Sequence, residues 1–175
     1  MELILLAGNS KLNKEWIEKM GDDLRDLFSS TKIQYYDHWN TEKSLIDFDL
    51  EIKKLSTTLQ NVKEYCIFAK SAGILLALKY IKSSLIKPKN CIFVGMPINW
   101  SRANNFDIDS FIENHSIPTL FIQKKKDTAF SSEELKEFLK QKNVKNHQFV
   151  EVEGEDHDYG DVDIKKIITE RITFI

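Results

Sequence analysis

Apolar and polar positions along the chain follow two rhythms. Short apolar runs of strand length recur at residues 2 to 6, 32 to 36, 64 to 68, 91 to 95, 119 to 122 and 148 to 152, several with no polar alternation, as expected of strands buried on both faces. Between them apolar residues take helical spacing: Trp16, Met20, Leu24 and Leu27; Ile46, Leu50, Ile52, Leu55 and Leu59; Ile74, Leu75, Leu78 and Ile81; Leu135, Phe138 and Leu139. Strand then helix, repeated, predicts right-handed crossovers and a three-layer α/β/α sandwich around a mostly parallel sheet of about six strands. No repeat, Pro-rich linker or low-complexity stretch interrupts the pattern, so residues 1–175 are expected to form one domain. Open parallel sheets bind ligands at the carboxyl ends of their strands, so the loops after each run are the places for chemistry.

Composition narrows the class. Lys plus Arg number 25 against 27 Asp plus Glu, with 30% charged and 42% apolar residues, an ordinary globular profile. There is no excess cation to neutralise phosphates, and a nucleic-acid partner is not expected. The only cysteines, Cys66 and Cys91, each lie inside an apolar run, where cysteine behaves as a small buried hydrophobe; a reducing cytoplasm fits this. The opening residues lack the basic leader of a signal peptide, and no run approaches bilayer length, so a cytoplasmic protein with no membrane partner is expected. Nothing in the pattern sets an oligomeric state.

The first apolar run leads into Ala7-Gly8-Asn9-Ser10 with no GxGxxG, and no GxxxxGK[ST], CxxC or HExxH occurs anywhere. A doubly wound nucleotide-binding domain and a dedicated metal site lose their main support, and neither metal nor cofactor is expected. The third run enters Ala69-Lys70-Ser71-Ala72-Gly73 and then an apolar helix. A turn that tight requires small side chains two residues either side of the serine and puts Ser71 in a strained conformation over a helix N-terminus. A plain serine N-cap has the same local pattern and needs no chemistry. Two later features favour chemistry: the run 119 to 122 ends in a polar loop carrying Asp127, and the run 148 to 152 is followed by Glu153-Gly154-Glu155-Asp156-His157. Serine, aspartate and histidine thus follow in chain order, each past a strand's carboxyl end.

These motifs together resemble a small α/β-hydrolase of the compact bacterial serine-esterase kind, from the Leu5-Leu6-Ala7-Gly8-Asn9 turn through the Ser71 elbow and the Pro118 to Asp127 segment to the His157 loop. The resemblance implies Ser71 as nucleophile, His157 as general base and Asp127 as the acid that orients it. The amides of Asn9 and Ala72 would form the oxyanion hole, and an ester, thioester or amide would be cleaved through an acyl-enzyme. Where the family usually has Gly two before the serine this chain has Ala69; where it often has His before the first-turn glycine it has Ala7; and where many members have Gly it has Lys124.

Residues 96 to 117 occupy the place of a lid in larger members but leave room for little more than Met96 to Trp100 and one short helix. An open, shallow pocket walled in part by Met96, Trp100 and Trp39 is expected, suited to a short acyl group or an extended segment of a polymer. Several plainer roles stand beside these. Asp127 could simply cap the helix starting near Ser131, with Asp156 and Asp158 as rival acids; His38 could line the pocket or pack in its loop. Lys124-Lys125-Lys126 could be solvated loop or an attractor for an anionic substrate. His115 and His147 precede strands and belong at the opposite sheet edge. The alternative for the whole chain is a non-catalytic binding module on the same fold.

Overall fold

The strands are apolar at successive positions because helices cover both sheet faces. The computed structural model describes residues 1–171; residues 172–175, the end of the expected domain, lie outside that part. Strands β1 (Glu2–Leu6), β2 (Ser30–Gln34), β3 (Tyr65–Lys70), β4 (Asn90–Val94), β5 (Thr119–Lys124) and β6 (His147–Val152) form one sheet in the order β2-β1-β3-β4-β5-β6. Every neighbouring pair is parallel. All residues of β3, β4 and β5 are buried, whereas the edge strands β2 and β6 are partly exposed.

The connecting helices are α1 (Asn13–Leu24), α2 (Phe48–Leu59), α3 (Ala72–Ser83), α4 (Ile98–Ala103), α5 (Ile108–Ile112), α6 (Ser132–Gln141) and α7 (Ile164–Thr169). Among the described residues no helix is long and apolar enough to cross a membrane. Several details differ from the sequence pattern. β2 ends at Gln34, two residues before the expected end, because Tyr36 leaves the ladder to bury its ring and donate its hydroxyl to the Ala7 carbonyl at 2.8 Å. The stretch after β4 holds two short helices rather than one, with Asp107 capping the second through the Ser110 amide. The short terminal α7 is capped by Asp163, where the apolar spacing is too brief to announce a helix.

Strand order and register decide where chemistry can occur. The chain adds β2 on one side of β1 and β3 on the other, so the loops after β1 and β3 diverge and leave a crevice between them. Register pairs Leu6 with Ala69, Lys70 with Val94, Val94 with Ile122 and Lys124 with Val152. The carboxyl ends are therefore level, and the loops bearing Asn9, Ser71, Asp127 and His157 open on one edge.

His115 lies at the other end of the sheet, 5% exposed, with Nε2 at 2.9 Å from Thr119 Oγ1. The Thr119 hydroxyl donates to Ile117 O, so the His115 ring is the donor in their contact. Burial pushes its pKa down to about 4. The unfolded chain therefore binds more protons than the fold between an unperturbed value of about 6.5 and the folded value, and stability falls as pH falls through that window. Urea denaturation from neutral pH down to about pH 4 should show a loss that His115→Gln removes, on the order of 3 kcal/mol by linkage. An identical acid limb in the variant would assign the loss elsewhere.

Candidate functional site

The site begins with a backbone constraint. Ser71 joins β3 to α3 at φ 50° and ψ −124°, and its side chain makes no capping hydrogen bond to α3. The plain N-cap role is thereby removed. Its N–H donates to Val94 O at 3.1 Å, tying the turn to β4. A Cβ on Gly73 would fall 2.4 Å from Leu6 O and 2.6 Å from Ala7 O, so the glycine is required by the close approach of β1 to the turn. The Ser71 hydroxyl, free of the helix, lies within hydrogen-bond distance of His157 Nε2, at 2.9 Å.

His157 Nδ1 lies 2.9 Å from each carboxylate oxygen of Asp127. Asp127 does not cap α6, whose N-cap is Ser131 in a reciprocal capping box with Glu134. Its carboxylate is buried and accepts three further hydrogen bonds: from Ala129 N–H at 2.7 Å, Gln123 Nε2 at 3.0 Å and Tyr159 O–H at 2.7 Å. Four donors solvate a charge that burial would otherwise make costly. The fully buried Gln123 also accepts from Met96 N–H at 2.8 Å, which links the acid to the loop after β4. Gly95, at φ +66°, completes the packing, since a Cβ there would lie 2.8 Å from the Tyr159 ring and 3.0 Å from His157 Cε1.

The lysine run divides: Lys125 and Lys126 are exposed in the turn after β5, whereas Lys124 is not solvated loop. Lys124 ends β5 at 1% exposure, with Nζ 2.9 Å from Asp156 and 2.8 Å from Asp161. Its hydrogen bonds hold both carboxyls below their usual range. Lys125 faces Glu153 at 3.6 Å and Lys126 pairs with Glu155. The run therefore staples the loop that carries His157, and Asp156 is a partner of Lys124 rather than a rival acid.

Asn9 is held by the segment after β2. Its carbonyl accepts from His38 Nε2 at 2.7 Å and Trp39 Nε1 at 2.8 Å, while its side chain accepts from Ile46 N–H and donates to Ser44 O. The pocket assignments are corrected accordingly. Trp39 and Met96 are buried at 6% and 1% exposure, one anchoring Asn9 and the other linked to Gln123; neither forms the wall. His38 also packs in its loop. Of the three expected wall residues, Trp100 is the one that lines the cavity of about 430 Å³, together with Asn9, Leu12, Asn13, Trp16, Lys70, Ser71, His157 and Asp158 among others.

No family model and no curated protein matches the chain, but solved structures do. A Pectobacterium atrosepticum protein assigned as a YdeN-like hydrolase superposes with a TM-score of 0.72 at 17% identity, covering 99% of this chain and 92% of its own. An esterase of Pyrococcus furiosus gives 0.74 at 16% identity over 99% and 81%. Est1E of Butyrivibrio proteoclasticus, solved with ferulic acid, gives 0.68 at 15% identity over 98% and 86%. The chain has the α/β-hydrolase fold. At these identities the likeness is one of architecture.

Within this α/β-hydrolase fold, Gln123, Lys124 and Tyr159 hold the acid and the histidine loop without any motif to announce them. Tyr159 is fully buried, donates to Asp127 and accepts the Lys124 N–H at 2.9 Å; burial raises its phenol pKa far beyond the ordinary range, which keeps the hydroxyl a donor. Tyr159→Phe leaves one buried N–H without its acceptor and Asp127 with one donor fewer. Stability in urea should fall by about 1–3 kcal/mol. An unchanged midpoint would mean that the hydroxyl carries no structural weight.

Proposed function

We propose that the chain is a serine hydrolase that cleaves an ester, thioester or amide through an acyl-enzyme on Ser71. The observation that carries this is the unbroken line from Ser71 Oγ through His157 to the buried Asp127, each link 2.9 Å. A proton on Nδ1, donated to Asp127, leaves the Nε2 lone pair facing the serine hydroxyl, as base catalysis requires. His157 takes the hydroxyl proton as Oγ attacks the carbonyl carbon. It then protonates the leaving group as the carbonyl re-forms, and the same exchange with water frees the acid.

The negative oxygen of the tetrahedral intermediate would meet the amides of Asn9 and Ala72. Ala72 opens α3, so its N–H has no acceptor within the helix, and the positive end of the helix dipole lies beside it. Each donor would contribute on the order of 3 kcal/mol in the transition state. Anchoring of the Asn9 carbonyl and side chain by the segment after β2 supports a fixed loop there, although Ala7 supplies no polar side chain for the purpose. The cavity lies at the small end of ligand pockets, which supports a short acyl group. Buried, unpaired Cys66 and Cys91, whose thiols burial makes hard to ionise, support a cytoplasmic setting.

A fluorophosphonate tests this without a guess at the substrate, because it uses the same nucleophile and amide donors. Wild type should be labelled on Ser71, and Ser71→Ala not at all. His157→Ala and Asp127→Asn should slow labelling by orders of magnitude, the latter by favouring the wrong imidazole tautomer. A folded wild-type protein that resists labelling over hours at neutral pH would favour the binding-module alternative.

A further inference from the structure

Two lysines among the described residues are buried, and they are treated differently. Lys124 has two carboxylates within 3 Å. Lys70, the residue immediately before Ser71 and 6% exposed, forms no ion pair among the described residues. Its Nζ donates once, to Asn13 Oδ1 at 2.8 Å, and lies 5.0 Å from the centre of the Trp16 ring. The Asn13 amide is itself oriented, with Nδ2 donating to Ser10 O at 3.0 Å, so its oxygen is committed to Lys70. An ammonium carries three N–H donors, and among the described residues the other two have no acceptor.

A buried cation with one neutral acceptor and an aromatic face is under-compensated, because desolvating a charge costs several kcal/mol unless an opposite charge or a full set of hydrogen bonds replaces the water. Burial accordingly pulls the Lys70 pKa below its usual value, against the opposing pull of Asp158 and Asp127. Asp158 is exposed on the same cavity wall, beyond ion-pair distance, with Oδ1 accepting the Gly160 amide. The Lys70 ammonium, the Asn13 amide and the indoles of Trp16 and Trp100 thus border the cavity into which Ser71 opens.

We propose that Lys70 is the counter-ion for a substrate carboxylate, and that the preferred substrate is an ester or amide whose short acyl chain ends in that carboxylate. The proposal rests on Ser71 as the nucleophile and adds the acyl class. The acyl carbonyl lies at Ser71 Oγ, the methylenes lie along the indoles, and the terminal carboxylate takes the open donors of Lys70. Asp158 opposes any second negative charge on the substrate.

The test compares 4-nitrophenyl monoesters of glutaric and adipic acid with the matching pentanoate and hexanoate, corrected for spontaneous hydrolysis. In wild type the kcat/KM ratio of anionic to neutral ester should be about 10- to 100-fold, the range of a charge-assisted hydrogen bond. Lys70→Met should bring it to one or below, and Lys70→Arg should restore part of it. A wild-type ratio of one or less, or a ratio that Lys70→Met leaves unmoved, overturns the proposal. Fluorophosphonate labelling of the same samples separates the two levels: labelled protein without charge preference defeats the carboxylate proposal alone, and unlabelled protein defeats the hydrolase. Binding of monomethyl adipate to Ser71→Ala, saturable and lost when Lys70→Met is added, reads the anion site without turnover. Its absence overturns the site.

Discussion

At Ser71 the backbone is held at φ 50° and ψ −124°, a conformation that L residues avoid and that costs about 1–3 kcal/mol. That figure is comparable to burying one Leu or Ile side chain. The elements on either side supply far more: every residue of β3 is buried, and so are nine of the twelve residues of α3. A turn between two such elements cannot relax without pulling both from the core, and the Ser71 N–H to Val94 O bond fixes it to the neighbouring strand. The strain then has a use, since a serine in an ordinary capping conformation would spend its hydroxyl on the helix amides instead of directing it at His157.

The proposed chemistry also requires a buried negative charge facing the histidine. Asp127 is usable because Gln123, Tyr159, the Ala129 amide and His157 all donate to it. Two of those donors also bind elsewhere, Gln123 to Met96 and Phe130 and Tyr159 to the Lys124 amide. The acid, the loop after β4 and the loop after β6 are consequently parts of one network, with Lys124 fastening the outer loop through Asp156 and Asp161. Exposed ion pairs contribute little singly, but here the ammonium is buried and bridges two carboxylates on one loop.

What the sequence reveals and what it conceals divide along a physical line. Ser71, Asp127 and His157 are legible because each follows an apolar run long enough to be a strand, and level strand ends bring such loops together. The elbow is legible because Ala69 and Gly73 mark a tight turn, although the atoms that crowd Gly73 belong to β1 and its following turn. Trp39 and Met96 are expected on the pocket wall because they follow strands; tertiary contacts turn both inward. Lys124 looks like loop because three lysines in a row normally face water, and its acidic partners lie 32 and 37 residues on. Lys70 reads as the variable letter of a motif, since a lysine's lack of a counter-ion is a property of three-dimensional surroundings.

The central claim is that Ser71 forms a covalent bond to the acyl group during turnover. Mass spectrometry of acid-quenched samples, taken while the protein hydrolyses an activated aryl ester, tests it most directly. The account predicts a fraction of the protein heavier by one acyl group, with the added mass on the peptide containing Ser71 and absent from Ser71→Ala. Sustained hydrolysis with acyl mass on another side chain, or undiminished hydrolysis by Ser71→Ala, would contradict it.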